Sequence, residues 1–202
     1  MNKISADELF KIAYSHLQKK EFVKSAELFE KLLKNYPENM SLLRNISHAY
    51  AFSGAYQKAE KSIKKMIKIK PDEPFVYQFL ASVLKSQDKI KEMIEIVNEG
   101  LEKNLINKKW EYQKKLLSPL IAGDKKEIDD YRKKIEKGLE EIINSDIKLD
   151  YDNDQVISPP LFELTYTDKD NLELNKKMVK ALKRIYQPLN HQVLINQKLK
   201  DK

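Results

Sequence analysis

Several residues of this chain have the types and spacing that chemistry could use. Asp150, Asp152 and Asp154 alternate as the first ligands of a calcium loop do. Such a loop also needs glycine at its sixth position and a bidentate glutamate at its twelfth, and here these are Gln155 and Leu161. A solvated linker accounts for the three aspartates better. His16, His48 and His191 lack the mutual spacing of metal ligands. Four scattered glycines cannot form a phosphate-cradling loop. The acid pair Glu140 and Glu141 lies among lysines, and no nucleophile stands beside a base. Asn45-Ile46-Ser47 fits a glycosylation acceptor but falls in a stretch with helical periodicity. Neither a metal nor a cofactor is expected, and the chain does not read as an enzyme by itself. What remains is a set that could hold a peptide: Phe10, Tyr14, Arg44, Asn45, His48, Phe52, Gln78, Ser82 and Lys85. Aromatic side chains supply contact area at low entropic cost, and amides can bond a peptide backbone.

The elements that would carry this set repeat. Leu9, Leu43 and Tyr77 are 34 residues apart, as are Phe22, Tyr56 and Ile90, and Phe29, Ile63 and Val97. Pro37 and Pro71 keep the same step. The middle copy shows the physics. Leu43, Ile46 and Tyr50 line one face of a helix. Gly54 ends it and permits a tight turn. Tyr56 wedges against that turn, and Ala59 is small where two helices cross. Ile63, Met66 and Ile67 bury the second helix, and Pro71 stops it. A 34-residue period with Gly54, Tyr56, Ala59 and Pro71 resembles the tetratricopeptide repeat. The first copy keeps small residues at Ala13 and Ser25 but has Lys20 for the turn glycine. The third has Met93 and Leu105 where alanine and proline are usual.

The resemblance implies an all-α fold: a right-handed solenoid of helical hairpins, each burying apolar surface against the next. It also implies that the first helix of each hairpin lines a concave groove. That register places the nine residues named above on the groove, as a site for an extended peptide or partner protein. Family members that clamp a C-terminal carboxylate use lysine, asparagine and arginine over three repeats. Only Asn45 matches, because Phe10 and Tyr14 replace two polar positions. The asparagine ladder of other members is also missing, since Lys11 and Phe79 occupy the places equivalent to Asn45.

Three regions are expected: repeats over 1–105, a capping or degenerate-repeat helix pair over 106–147, and a linker, short strand and basic helix over 148–202. INKKWEYQKKLLSPLIAG, residues 106–123, carries one helix of the pair. Asp124 caps the other, in which Ile128, Tyr131, Ile135, Leu139, Ile142 and Ile143 form a stripe. ISPPLFELTYTD, from Ile157, alternates like a strand at Phe162, Leu164 and Tyr166. A helix follows, capped by Asp170 or Asn171, with Leu174, Met178, Ala181, Leu182 and Ile185 on one side.

Pro160, Phe162, Leu164, Tyr166, Asn171, Leu174 and Tyr186 resemble the junction between repeats and catalytic domain in bacterial glycosyltransferases. Those enzymes are related to O-linked N-acetylglucosamine transferase and SPINDLY. Glu163 and Asp168 depart from that pattern. This resemblance implies an alternative role, recruiting substrate for a glycosyltransferase domain that the chain does not contain.

The formal net charge is +7, with 38 basic residues, of which three are arginine: Arg44, Arg132 and Arg184. Base and phosphate readout favours arginine's planar fork, so this lysine-rich balance argues against nucleic acid. No run approaches the roughly 20 apolar residues of a membrane span. With no cysteine and no apolar leader, the expected compartment is the cytoplasm.

Overall fold

The computed structural model describes residues 4–107, 109–117, 124–146, 148–149 and 170–186. Its helices are α1 (Ala6–Gln18), α2 (Phe22–Asn35), α3 (Met40–Phe52), α4 (Tyr56–Ile69), α5 (Pro74–Ser86), α6 (Ile90–Glu102), α7 (Lys109–Gln113), α8 (Lys125–Ile143) and α9 (Leu172–Ile185). A 3-10 turn, Lys114–Leu116, follows α7. No strand occurs among the described residues. Contacts divide the chain into two compact units, residues 1–107 and residues 108 onward.

In the first unit each helix packs on its neighbour in sequence, α1 on α2, α2 on α3, and so on to α6. This is a stack of three hairpins, the tetratricopeptide architecture the 34-residue period implies. Ser5 begins α1 with a capping box: its hydroxyl accepts from the Glu8 N–H at 3.2 Å, and Glu8 reaches back to the Ser5 N–H. Asn39 caps α3, accepting from the Leu42 N–H at 3.1 Å. Pro74 opens α5 at a position where its missing N–H costs nothing.

The inner turns of the hairpins repeat one motif. Lys20, Gly54 and Asp88 all have left-handed backbone, with φ of 61°, 79° and 58°. The N–H after each bonds back five residues: Glu21 to the His16 carbonyl, Ala55 to Tyr50 and Lys89 to Leu84. The left-handed residue itself bonds back three: Lys20 to Leu17, Gly54 to Ala51 and Asp88 to Lys85. These are Schellman caps, and they satisfy carbonyls the helix leaves open. The outer ends of α2 and α4 are different. Tyr36 and Lys70 leave the helical region, at φ −130° and −141°, as residues before a proline must. Leu105 takes the proline's place in the third hairpin, and α6 ends instead on another left-handed residue, Asn104 at φ 55°. The Leu105 N–H closes that cap on the Gly100 carbonyl at 2.8 Å.

The core follows the repeat. Ala13, Ala59 and Ala81 are fully buried, as are Phe29, Ile63, Tyr77, Leu80, Leu84 and Val97. Ser25 is buried too, and its hydroxyl donates to the Ala13 carbonyl at 2.9 Å, locking the first crossing. In the third hairpin Met93 stands where the others have Ser25 and Ala59, and it is fully buried. The pliable methionine side chain fits a crossing that alanine would leave underfilled.

In the second unit, Asp124 caps α8 by accepting from the Glu127 N–H at 2.8 Å. At the start of α9 the cap is the Asp170 carboxylate, which accepts from the Leu172 N–H at 2.8 Å; the Asn171 side chain binds Arg132 instead. α8 packs on α9, and Ile135, Leu139 and Ile142 meet Leu174, Met178, Ala181, Ile185 and Tyr186 in one core. Tyr112, Leu116 and Leu149 complete it. The single helix expected over 106–123 is a correction. α7 has five residues, the 3-10 turn ends at Leu116, and Leu117 is extended at ψ 136°. Pro119, two residues on, cannot donate to a helical ladder. The strand expected from Ile157 and the three aspartates from Asp150 lie outside the described residues.

Candidate peptide-binding face

The first helices α1 and α3 bring together five of the nine predicted residues. Tyr14, Arg44, Asn45, His48 and Phe52 line one depression of about 320 Å³ with Leu17, Gln18 and Phe22. Tyr14 is 44% exposed and Phe52 64% exposed, so two large rings face solvent at its rim. Phe10 is set back. Its ring stacks on Tyr14 at 6.2 Å and meets Phe29 of α2 edge-on at 5.6 Å, so much of it serves the hairpin core.

A line of rings crosses from one repeat to the next. Phe22 stacks on Phe52 at 5.1 Å between centroids, Phe52 on His48 at 6.0 Å, and His48 on Phe79 at 4.5 Å. Phe79 adjoins Phe75 at 5.3 Å, and the Arg44 guanidinium lies 3.9 Å from the Phe75 centroid. Such offset ring pairs contribute about 0.5–1.5 kcal/mol each beyond the area they bury. Partial burial disfavours the imidazolium of His48, and the nearby Arg44 charge adds to this. Its pKa therefore lies below the ordinary 6.5, and the ring is neutral at pH 7.

The polar members divide. The Asn45 amide nitrogen donates to the Ser41 carbonyl at 2.9 Å, which leaves its oxygen as the acceptor it can offer. Ser82 turns its hydroxyl back on the Gln78 carbonyl at 3.0 Å, a bond internal to α5. Gln78, Ser82 and Lys85 do not line the depression around Phe52. Phe22, Phe75 and Phe79 do belong to the ring line and were not among the predicted residues. Their signal was present. Phe79 is the residue 34 on from Asn45, and Phe22 occupies the turn-wedge position, so both were read for repeat register alone.

Behind this face, polar ties join successive hairpins. Tyr50 donates to Glu30, and Lys58 lies 3.2 Å from the same carboxylate. Glu60 is buried at 8% exposure and accepts from Lys64 at 2.6 Å, Lys89 at 2.8 Å and Gln87 at 2.9 Å. Burial opposes its charge, but the three hydrogen bonds prevail and hold its pKa at about 2. His16 pairs with Glu21, which is a local tie and not a ligand arrangement.

Three of the five basic residues of α9 are paired with acids. Lys177 bridges Glu136 and Glu140 of α8 at 2.6 and 2.8 Å, Lys176 pairs with Glu173, and Arg184 with Asp146. No cluster of side chains suited to a metal occurs among the described residues, and no described helix is long and apolar enough to cross a membrane.

Comparison with known proteins agrees with this geometry. Residues 43–73 match the family model of the tetratricopeptide repeat. This stretch is α3, α4 and their turn, the hairpin with Gly54 at its left-handed position. The middle hairpin is thus a tetratricopeptide repeat by its sequence as well as by its fold. Among solved structures, the TPR domain of Sgt2 from Aspergillus fumigatus is similar at 20% identity, over 68% of this chain and 78% of that one, with a TM-score of 0.44. No curated protein sequence matches. The family match ends at residue 73, well before the positions that resemble the glycosyltransferase junction.

Proposed function

We propose that this chain is a non-catalytic interaction module, and that the face formed by α1, α3 and α5 holds an extended segment of a partner protein. One observation carries this: the unbroken line of rings from Phe22 to Phe75, with Phe52 left 64% exposed at its edge. A ring needed only for the core would be covered. An exposed large ring beside a depression is the common form of a binding hot spot. Asn45 adds an acceptor for a peptide N–H within the same depression.

The test is affinity capture with the intact chain beside Phe52→Ala and Asn45→Ala, with folding checked by circular dichroism. Loss of the captured partner in both variants is expected. A partner held equally by all three proteins would place the binding surface elsewhere. Of the described positions of the glycosyltransferase-like junction, Leu174 and Tyr186 are buried in the α8–α9 core and Asn171 accepts from Arg132, so packing within this unit accounts for all three without a transferase.

A further inference from the structure

We propose that this face selects peptides in which a large apolar side chain, aromatic by preference, stands within two residues of a carboxylate, and that Arg44 binds the carboxylate. The proposal rests on the binding face argued above and names the chemistry of its occupant.

Arg44 is the reason. Its guanidinium is stacked over Phe75 at 3.9 Å, which fixes its plane and leaves its N–H edge for an acceptor. The side chain is exposed and makes no ion pair or side-chain hydrogen bond among the described residues. Arg44 is thus held in place and left open.

Its surroundings set the sign of the ligand. α3, MSLLRNISHAYAF, and α5, PFVYQFLASVLKS, contain no aspartate or glutamate, and their charged residues are Arg44 and Lys85. His48 is neutral at pH 7 and does not compete. No acid lines the depression around Phe52. Arg44 also borders a second depression of about 250 Å³, with Met40, Phe75, Val76 and Glu73. Glu73, the acid there, is paired with Lys70 at 2.8 Å.

Geometry links the two halves of the motif. Arg44 lines the same 320 Å³ depression as Tyr14, Phe22, His48 and Phe52. An extended peptide puts alternate side chains on one side, roughly 7 Å apart. One such side chain can stack among the rings while the next presents its carboxylate to Arg44. A phosphate group would call for a cluster of arginines, and one guanidinium suits a carboxylate better. The arrangement also differs from a clamp on a chain-terminal carboxylate, so the motif can lie anywhere in a disordered segment.

The test uses a phage-displayed library of random peptides, selected against the full chain and against Arg44→Met, Arg44→Lys and Phe52→Ala. Methionine keeps an apolar stem on Phe75 without the charge. Wild type should enrich an aromatic residue with aspartate or glutamate within two positions. Arg44→Met should keep the aromatic preference and lose the acidic one, and Arg44→Lys should retain part of the latter. Phe52→Ala should lose the aromatic preference. A synthetic peptide from the wild-type pool should bind Arg44→Met about tenfold more weakly, the usual effect of losing one charge-assisted hydrogen bond. Replacing that peptide's acid by its amide should cost the same in wild type and nothing further in Arg44→Met. Acid preference absent from wild type, or undiminished in Arg44→Met, overturns this proposal and leaves the binding face standing. A library from which wild type enriches no peptide overturns both.

Discussion

Glu60 offers the sharpest test of how the hairpins are joined. Its carboxylate lies on α4, while Gln87 and Lys89 come from the turn between α5 and α6, so the cluster bridges two repeats. A carboxyl of ordinary pKa 4.5 is held at about 2. At about 1.4 kcal/mol per pH unit, the charged form is favoured in the fold by roughly 3 kcal/mol. The Glu60 side chain is 10% exposed, so water screens little of this. Lys64 and Lys89 are 48% and 36% exposed and can turn back to solvent when their partner loses its charge. Glu60→Gln should therefore destabilise the protein by about 2–3 kcal/mol at pH 7, below the penalty for stranding a buried cation. A depressed carboxyl pKa stabilises above the unfolded value and loses that contribution as pH falls through the folded one. The gap between wild type and variant should hold from pH 7 to about 5 and close between pH 4.5 and about 2. Urea unfolding followed by circular dichroism at pH 7, 4.5, 3 and 2.5 measures it. A gap of the same size at every pH, or none at pH 7, would refute the argument that this carboxylate is held charged by its three partners.

Two further outcomes follow from the backbone and the crossings. Ala59→Leu puts three extra carbons into a fully buried helix crossing and should cost about 1–3 kcal/mol, read as a lower midpoint in thermal unfolding. Lys20→Gly relieves a side chain held at φ 61° and should stabilise by about 1 kcal/mol, whereas Gly54→Ala at φ 79° should destabilise by a similar amount although its new methyl would meet open space; opposite shifts in the urea midpoint check the pair.

The 34-residue period was legible because one-dimensional stacking writes itself along the chain. Each hairpin meets the next through the same positions, so Leu9, Leu43 and Tyr77 recur by the same logic that Phe29, Ile63 and Val97 do. Helix ends were legible where a residue's own backbone limits decide them, at Pro37, Pro71 and Gly54. Lys20 adopts the left-handed conformation with no local signal, because the flanking helices impose it, whereas Asp88 and Asn104 are of the residue types that tolerate it best after glycine. The proposed binding face was half legible for a related reason. Register tells which residues share a helix face, so Tyr14, Arg44, Asn45, His48 and Phe52 could be gathered. It does not tell which residue of one repeat meets which of the next. The stacking of His48 on Phe79, and of Arg44 on Phe75, depends on that offset. The short α7 escaped because its apolar residues keep helical spacing past the point where Pro119 forbids the ladder.

Because every tight helix contact in the first unit joins elements adjacent in sequence, no distant parts of that unit must find one another before it can form. Assembly can begin at the middle hairpin and spread outward, one rung at a time, at the speed that short loops allow. Pulled from its ends, such an array would give way in steps, like a zipper losing teeth, and would close again from whichever rung survived.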